Sequence, residues 1–81
     1  MPTWSKRAGK DLEALPLVMQ DRARSVINRL DTEHHLGKRL VGPLKGIRSA
    51  RIGRSHRALF EINLDGTAHI LTITPRKDAY R

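Results

Sequence analysis

The pattern that most constrains the fold lies in residues 56–64, where apolar side chains recur at every second position. One side of such a strand is apolar throughout, with Ala58, Phe60, Ile62 and Leu64. Its other side begins with Arg57 and carries Glu61. An alternating strand of this kind is typical of an antiparallel sheet that is covered on one face and solvated on the other.

Two more strands are predicted on either side of this one. Residues 47–52 and 68–74 are rich in β-branched residues or alternate with period two. Asp65-Gly66 is a strong signal for a tight turn between the second and third runs, and residues 53–55 supply the earlier turn. The C-terminal half therefore predicts a three-stranded antiparallel meander. Alternation puts His56 and His69 on the core side, as partly buried structural residues.

Two amphipathic helices are predicted before the strands. Ser5 is placed to cap the first helix, in which Ala8, Leu12 and Leu15 form one apolar stripe before Pro16 ends it. The second helix, within residues 17–33, repeats its apolar residues at helical spacing: Met19, Ala23, Val26, Ile27 and Leu30. A helical hairpin must lay this apolar stripe on another element. The prediction is a single α+β domain over residues 1–81, with the hairpin on one face of a small twisted antiparallel sheet.

Composition excludes several classes of protein. There is no cysteine, so disulfides and thiolate metal sites are absent. No apolar run approaches the roughly 20 residues of a membrane span, and no apolar leader follows Met1, which favours the cytoplasm. Residues 34–46 are interpreted as a glycine-punctuated loop, in which His34 and His35 have no carboxylate at ligand spacing. We expect neither a metal nor another cofactor.

The net charge favours an acidic partner. Lys and Arg number 16 against 8 Asp and Glu, giving a formal charge of +8. Such a balance indicates nucleic acid or an acidic protein as the target, although a solvated surface alone is the simpler explanation. Alternation places Arg51 and Arg57 on the solvated sheet face, and the same parity extends to Arg76. Guanidinium groups gathered in this way suit a bidentate contact with phosphate, although Arg57 paired with Glu61 is the bland alternative.

Several segments together resemble one known family. They are "AGKDLEALP" at 8–16, "LKG" at 44–46, "RIG" at 51–53 with "HRALFEI" at 56–62, and "RKDAY" at 76–80. This ordered set resembles the RelE/ParE toxin superfamily of toxin–antitoxin modules. The resemblance implies a helical hairpin on a twisted antiparallel sheet, and an acidic antitoxin as partner.

The resemblance also implies an activity. RelE-like members enter the ribosomal A site and cut the messenger RNA there by attack of a 2′-OH on the adjacent phosphate, without a metal. The matching positions imply four catalytic residues, namely Arg51, Arg57, Arg76 and Tyr80. Tyr80 is either a general base or a residue that stacks on a nucleobase.

Five further basic residues are expected to contact the RNA, namely Lys45, Arg48, Arg54, Lys77 and Arg81. Two other functions stay open at this point. One is ParE-like inhibition of DNA gyrase, and the other is an inactive RNA-binding relative, because a shared fold does not decide between activities.

Overall fold

A computed structural model describes residues 2–30, 32–33, 37–39 and 46–75. The chain forms β1 (Thr3–Trp4), α1 (Lys6–Glu13), α2 (Leu17–Arg29), β2 (Gly37–Arg39), β3 (Arg48–Ile52), β4 (His56–Ile62) and β5 (Ala68–Pro75). The predicted α+β class, with a helical hairpin packed against a sheet, is confirmed. None of the helices in these ranges has the length and apolar character that a membrane span requires.

The sheet has five strands in the order β1-β5-β4-β3-β2. The predicted antiparallel meander is present as β3, β4 and β5, and β2 adds to it antiparallel. β1 joins the other edge parallel to β5, so the sheet is mixed where a purely antiparallel one was predicted. β1 and β2 have only two and three residues, which is too short for a period-two pattern to stand out. β2 also lies inside the segment that was predicted to be a loop.

Helix α1 begins as the sequence predicts. The Ser5 hydroxyl accepts a hydrogen bond of 3.0 Å from the Ala8 N–H, which satisfies one amide of the first turn. The same hydroxyl donates to the Leu71 carbonyl at 2.7 Å. One serine therefore caps α1 and attaches its first turn to β5.

The core lies between the helical hairpin and one face of the sheet. The helices contribute Ala8, Leu12, Ala23, Ile27 and Leu30. The strands contribute Ala50, Ile52, Ala58, Phe60, Ala68, Ile70 and Ile73. Full burial of a large side chain such as Phe60 stabilises the fold by about 1.5–3 kcal/mol relative to exposure. The predicted apolar stripe of α2 is confirmed as core, with Met19 and Val26 at its margin.

A β-bulge in β5 changes which side chains point to the core. Leu59 pairs with Thr72 and Phe60 pairs with Ile70, so Leu71 is the extra residue. The predicted side of His69 was therefore wrong, although the residue is half-buried as expected. Its partner is Glu61 on the solvated face, and its Nδ1 lies 2.6 Å from the Thr3 hydroxyl.

Uninterrupted alternation would place Leu71 and Ile73 together on the core side. With the bulge, Leu71 is only half-buried whereas Ile73 is buried. His56 keeps its predicted side and is half-buried opposite Ile52.

The edge of β5 beyond β1 is closed by a side chain of α1. β1 pairs only with His69 and Ile70. Beyond them, the Asp11 carboxylate accepts hydrogen bonds from the Ile73 N–H at 3.0 Å and from the Thr72 hydroxyl at 2.7 Å. Asp11 thus attaches β5 to α1.

The predicted turn at Asp65-Gly66 is confirmed between β4 and β5. Gly66 has φ +90°, a conformation that side chains with a Cβ rarely adopt. The Asp65 carboxylate accepts hydrogen bonds from the Thr67 hydroxyl at 2.7 Å and from the Thr67 N–H at 3.0 Å. These bonds favour the charged form and hold the pKa of Asp65 below its usual value.

Candidate functional site

The sheet face that the helices leave uncovered, here called the outer face, has two arginines side by side. Arg51 of β3 is the direct cross-strand partner of Arg57 of β4, and Thr74 of β5 is the partner of Arg57 on its other side. The neighbours Ile52 and Ala58 point to the core, so the two arginines share the opposite face. We call Arg51 and Arg57 the arginine pair. Arg51 is exposed and Arg57 is half-buried.

Two like charges in this position are unfavourable for the free protein. Directly opposed residues in an antiparallel pair have Cβ atoms about 4.5–5.5 Å apart, and like charges there are destabilising. An anion between the two guanidinium groups removes this repulsion. A phosphate group is a good match, because each guanidinium can offer it two parallel N–H donors. The chemistry of the arginine pair is therefore suited to binding an anion.

Hydroxyl groups accompany the arginine pair on the outer face. Ser49 is two residues before Arg51 on β3, and its cross-strand partner is Leu59. Ser49 is 1% exposed, and its hydroxyl makes no hydrogen bond within the part of the chain that is described. Thr74 is half-buried beside Arg57. The sequence indicated that Ser49 and Thr74 face outward, but it gave no sign that the Ser49 hydroxyl is buried.

The remaining predicted site residues do not all lie near the arginine pair. Arg54 is exposed in the turn between β3 and β4, next to the end of the sheet that carries the arginine pair. Arg48 is half-buried opposite Phe60, on the side of β3 that bears Ala50. The structure therefore does not bring Arg48 to the arginine pair. Five of the predicted residues lie outside the described ranges, namely Lys45, Arg76, Lys77, Tyr80 and Arg81.

Glu61 and His69 form a second polar pair on the outer face. Sequence reasoning missed it because the bulge at Leu71 reverses the expected side of His69. Glu61 is four residues from Arg57 along β4, which corresponds to about 13 Å. The Glu61 backbone is therefore farther from Arg57 than that of either cross-strand partner of Arg57. Within the described ranges, no group of three or more His, Asp or Glu side chains could hold a metal ion.

A comparison with protein families identifies the chain. The model that describes the "ParE toxin of type II toxin-antitoxin system, parDE" matches residues 3–80. The chain belongs to this ParE toxin family. It is a type II toxin of the RelE/ParE superfamily, which confirms the predicted resemblance.

Solved structures of ParE-family relatives share the fold. A chain of the toxin–antitoxin complex RelBE2 from Mycobacterium tuberculosis is 29% identical with a TM-score of 0.82, covering 94% of this chain and 96% of that one. The YoeB-YefM complex from Staphylococcus aureus gives 21% identity and a TM-score of 0.76, with 91% and 93% covered. A chain of the RelB-RelE complex from Methanococcus jannaschii is 18% identical with a TM-score of 0.73, covering 96% of this chain and 94% of that one. No curated protein matches this chain.

Proposed function

We propose that this ParE-family toxin is a ribosome-dependent endoribonuclease that cuts messenger RNA without a metal ion. The observation that carries the proposal is the arginine pair, two adjacent guanidinium groups on the outer face. Adjacent guanidinium groups of this kind suit bidentate contacts with the phosphates of RNA, which supports the proposal. The ribosome and its messenger lie in the cytoplasm, and the toxin is proposed to act there.

The proposed reaction is a transfer of the phosphate within the RNA chain. The 2′-oxygen of one nucleotide attacks the adjacent phosphorus, and the bond from phosphorus to the 5′-oxygen of the next nucleotide breaks. The products are a 2′,3′-cyclic phosphate and a 5′-hydroxyl end. One proton leaves the 2′-oxygen and one is taken up by the 5′-oxygen. Negative charge increases on the phosphate oxygens in between, and the arginine pair stabilises it.

The arginine pair does not carry these protons, because a guanidinium group in a protein is a hydrogen-bond donor only and has no acceptor for a proton. One well-placed donor to a transition state of this kind is typically worth about 10²–10³ in rate. We assign the base role, or alternatively stacking on a nucleobase, to Tyr80 and a third guanidinium to Arg76. Thr74 lies beside Arg57 and is two residues before Arg76 in the sequence, which supports including Arg76.

The RNA is proposed to extend over basic residues around the arginine pair. Arg54 is exposed in the adjacent turn and is a contact of this kind. Lys45, Lys77 and Arg81 are further proposed contacts on the basis of sequence. Arg48 is left out of this surface, because its register position is on the side of β3 that carries the core residue Ala50.

An antitoxin is the proposed protein partner. Solved relatives with this fold come from toxin–antitoxin complexes, and a chain with a formal charge of +8 suits an acidic segment. A segment that is disordered when free and folds as it binds fits the requirement for a removable inhibitor. Covering the arginine pair would silence the toxin. A complex whose affinity is unaffected by salt and by charge reversal at Arg51 would contradict this assignment.

Inhibition of DNA gyrase is the second candidate. The observation in its favour is that the matching family model is described by the ParE toxin. A protein that only binds gyrase has no chemical need for adjacent guanidinium groups on an open sheet face. The proposed nuclease therefore needs the arginine pair for its chemistry, whereas a gyrase inhibitor does not.

The deciding experiment maps messenger ends on programmed ribosomes, beside a gyrase supercoiling assay. We expect Arg51→Ala and Arg57→Ala each to slow cleavage by about 10²–10³, and Tyr80→Phe to slow it as well. Arg24→Ala is the matched control, since Arg24 is an exposed arginine on α2, away from the outer face. Circular dichroism should show that all variants stay folded. Inhibition of gyrase by the parent, with no cut messenger, would replace this proposal by the second candidate.

A further inference from the structure

We propose that the Ser49 hydroxyl is a third donor to the phosphate that the arginine pair binds. The inference rests on the proposed function for the identity of the anion as an RNA phosphate. It starts from a separate observation, which is that a polar side chain is buried on the outer face and has no hydrogen bond among the described residues.

Ser49 has the right place in the sheet. It is on the same side of β3 as Arg51, two residues earlier, and so about 7 Å away along the strand. Its cross-strand partner Leu59 is two residues from Arg57 on the same side of β4. Ser49 is therefore the diagonal neighbour of Arg57, within about 7–8 Å, which long side chains span. A phosphate bound by the pair lies within reach of the hydroxyl.

A hydroxyl buried without a partner is unfavourable in the free protein. It has lost its bonds to water and gained none from the described residues, so we expect an alanine of nearly the same size to be more stable there. Core residues on the other side of β3 show that small apolar side chains pack well in this strand, since Ala50 is fully buried. Among the residues that the structure describes, the Ser49 hydroxyl therefore makes no bond that would hold the fold together.

The proposed bond requires the Ser49 hydroxyl to become accessible when the anion binds, because the residue is 1% exposed in the free protein. Arg51 is exposed and has the rotatable bonds to move toward a phosphate without disturbing the strands. The serine hydroxyl then donates to a phosphate oxygen, and such a charge-assisted bond is stronger than one between neutral groups. Ser49 would thereby bind the non-bridging oxygens together with the arginine pair.

The test compares Ser49→Ala and Ser49→Cys with the parent protein. Cysteine keeps nearly the volume of serine but is a weak donor, so it separates packing from hydrogen bonding. Ser25→Ala is the control, because Ser25 is an exposed hydroxyl on α2. Three quantities are measured: unfolding in urea, affinity for inorganic phosphate by NMR shifts of the amides at the arginine pair, and cleavage on programmed ribosomes.

We expect both Ser49 variants to bind phosphate about 10- to 100-fold more weakly than the parent, as for loss of one hydrogen bond to a charged group. Ser49→Ala should be as stable as the parent or more stable, and Ser25→Ala should bind phosphate unchanged. A Ser49→Ala protein that is less stable but binds phosphate like the parent would overturn the inference. A parent that shows no saturable phosphate response at the arginine pair would overturn it as well.

The cleavage assay separates this inference from the proposed function. If the parent cuts messenger and the Ser49 variants cut and bind phosphate equally well, the serine is not a donor and the nuclease function stands. If the parent cuts nothing but the Ser49 variants bind phosphate more weakly, the donor role stands and the nuclease function fails.

Discussion

Arg51 and Arg57 are like charges in direct cross-strand positions, an arrangement whose effect on the free energy of unfolding can be measured. Because they are direct cross-strand partners, reversing the charge of one of them replaces a like-charge pair by an opposite-charge pair. At these two positions, the side chains proposed to bind an anion are not those that would give the most stable sheet. Stability and activity should therefore move in opposite directions when one of the two arginines is reversed.

We expect Arg51→Glu to raise the free energy of unfolding by about 0.2–1 kcal/mol, because an opposite-charge pair replaces a like-charge pair. The same variant should lose cleavage. Urea unfolding and messenger mapping check the two effects. Arg54→Glu is the control, since it changes the net charge equally from a turn without a cross-strand partner. Equal stability changes in both variants would mean that net charge, and not the arginine pair, causes the effect.

Strand β5 is the element that joins the helical hairpin to the outer face. It contacts α1 through Ser5 and Asp11, and it carries Thr74 beside Arg57. The bulge at Leu71 lets one strand supply Ile70 and Ile73 to the core although they are an odd number of residues apart. The position of the outer-face residues on β5 therefore depends on contacts made on the helical side.

We expect Asp11→Ala to lower the free energy of unfolding by about 1–3 kcal/mol, because the Ile73 N–H and the Thr72 hydroxyl both lose their acceptor. Hydrogen exchange at the Ile73 amide should become faster. Asp21→Ala is the control, an exposed carboxylate on α2 for which a change within about 0.5 kcal/mol is expected. Unchanged exchange at Ile73 would show that the Asp11 contact does not secure the strand.

These elements differ in how well the sequence predicts them. Helical spacing and the Ser5 cap predicted α1 and α2, and alternation predicted the meander and the side of Arg51 and Arg57. The bulge at Leu71 was not predictable, because its residues fit an uninterrupted strand equally well. The burial of Ser49 also escaped prediction, since it depends on neighbours brought together only by the fold. The short strands β1 and β2 were not predicted either, because they form by pairing with β5 and β3 and are too short to show a strand pattern of their own.

The whole molecule carries a formal charge of +8, which bears on the proposed binding to the ribosome. Each phosphate that a basic residue neutralises on a single strand contributes about −0.7 to the slope of log affinity against log salt concentration. We expect Arg51→Ala to make this slope less steep by about 0.7. Ser49→Ala should weaken binding without changing the slope, because its hydroxyl is uncharged. Binding measured at several salt concentrations on programmed ribosomes checks both statements.

Equal salt slopes for Arg51→Ala and Ser49→Ala would contradict the separate roles proposed for these two residues. If Ser49→Ala lowered the slope as much as Arg51→Ala, the serine would be acting through the position of an arginine and not as a separate donor. If neither variant changed the slope, the arginine pair would not be in contact with a phosphate on the ribosome.

The alternation of arginine with apolar residues in β3 and β4 has a consequence for how the chain avoids folding wrongly. A slip of one residue in either strand would turn Arg51 or Arg57 under the helices and Ile52 or Ala58 out into water. Burying an unpaired guanidinium is far more unfavourable than exposing one aliphatic group. The charges of Arg51 and Arg57 therefore disfavour neighbouring registers of the sheet during folding.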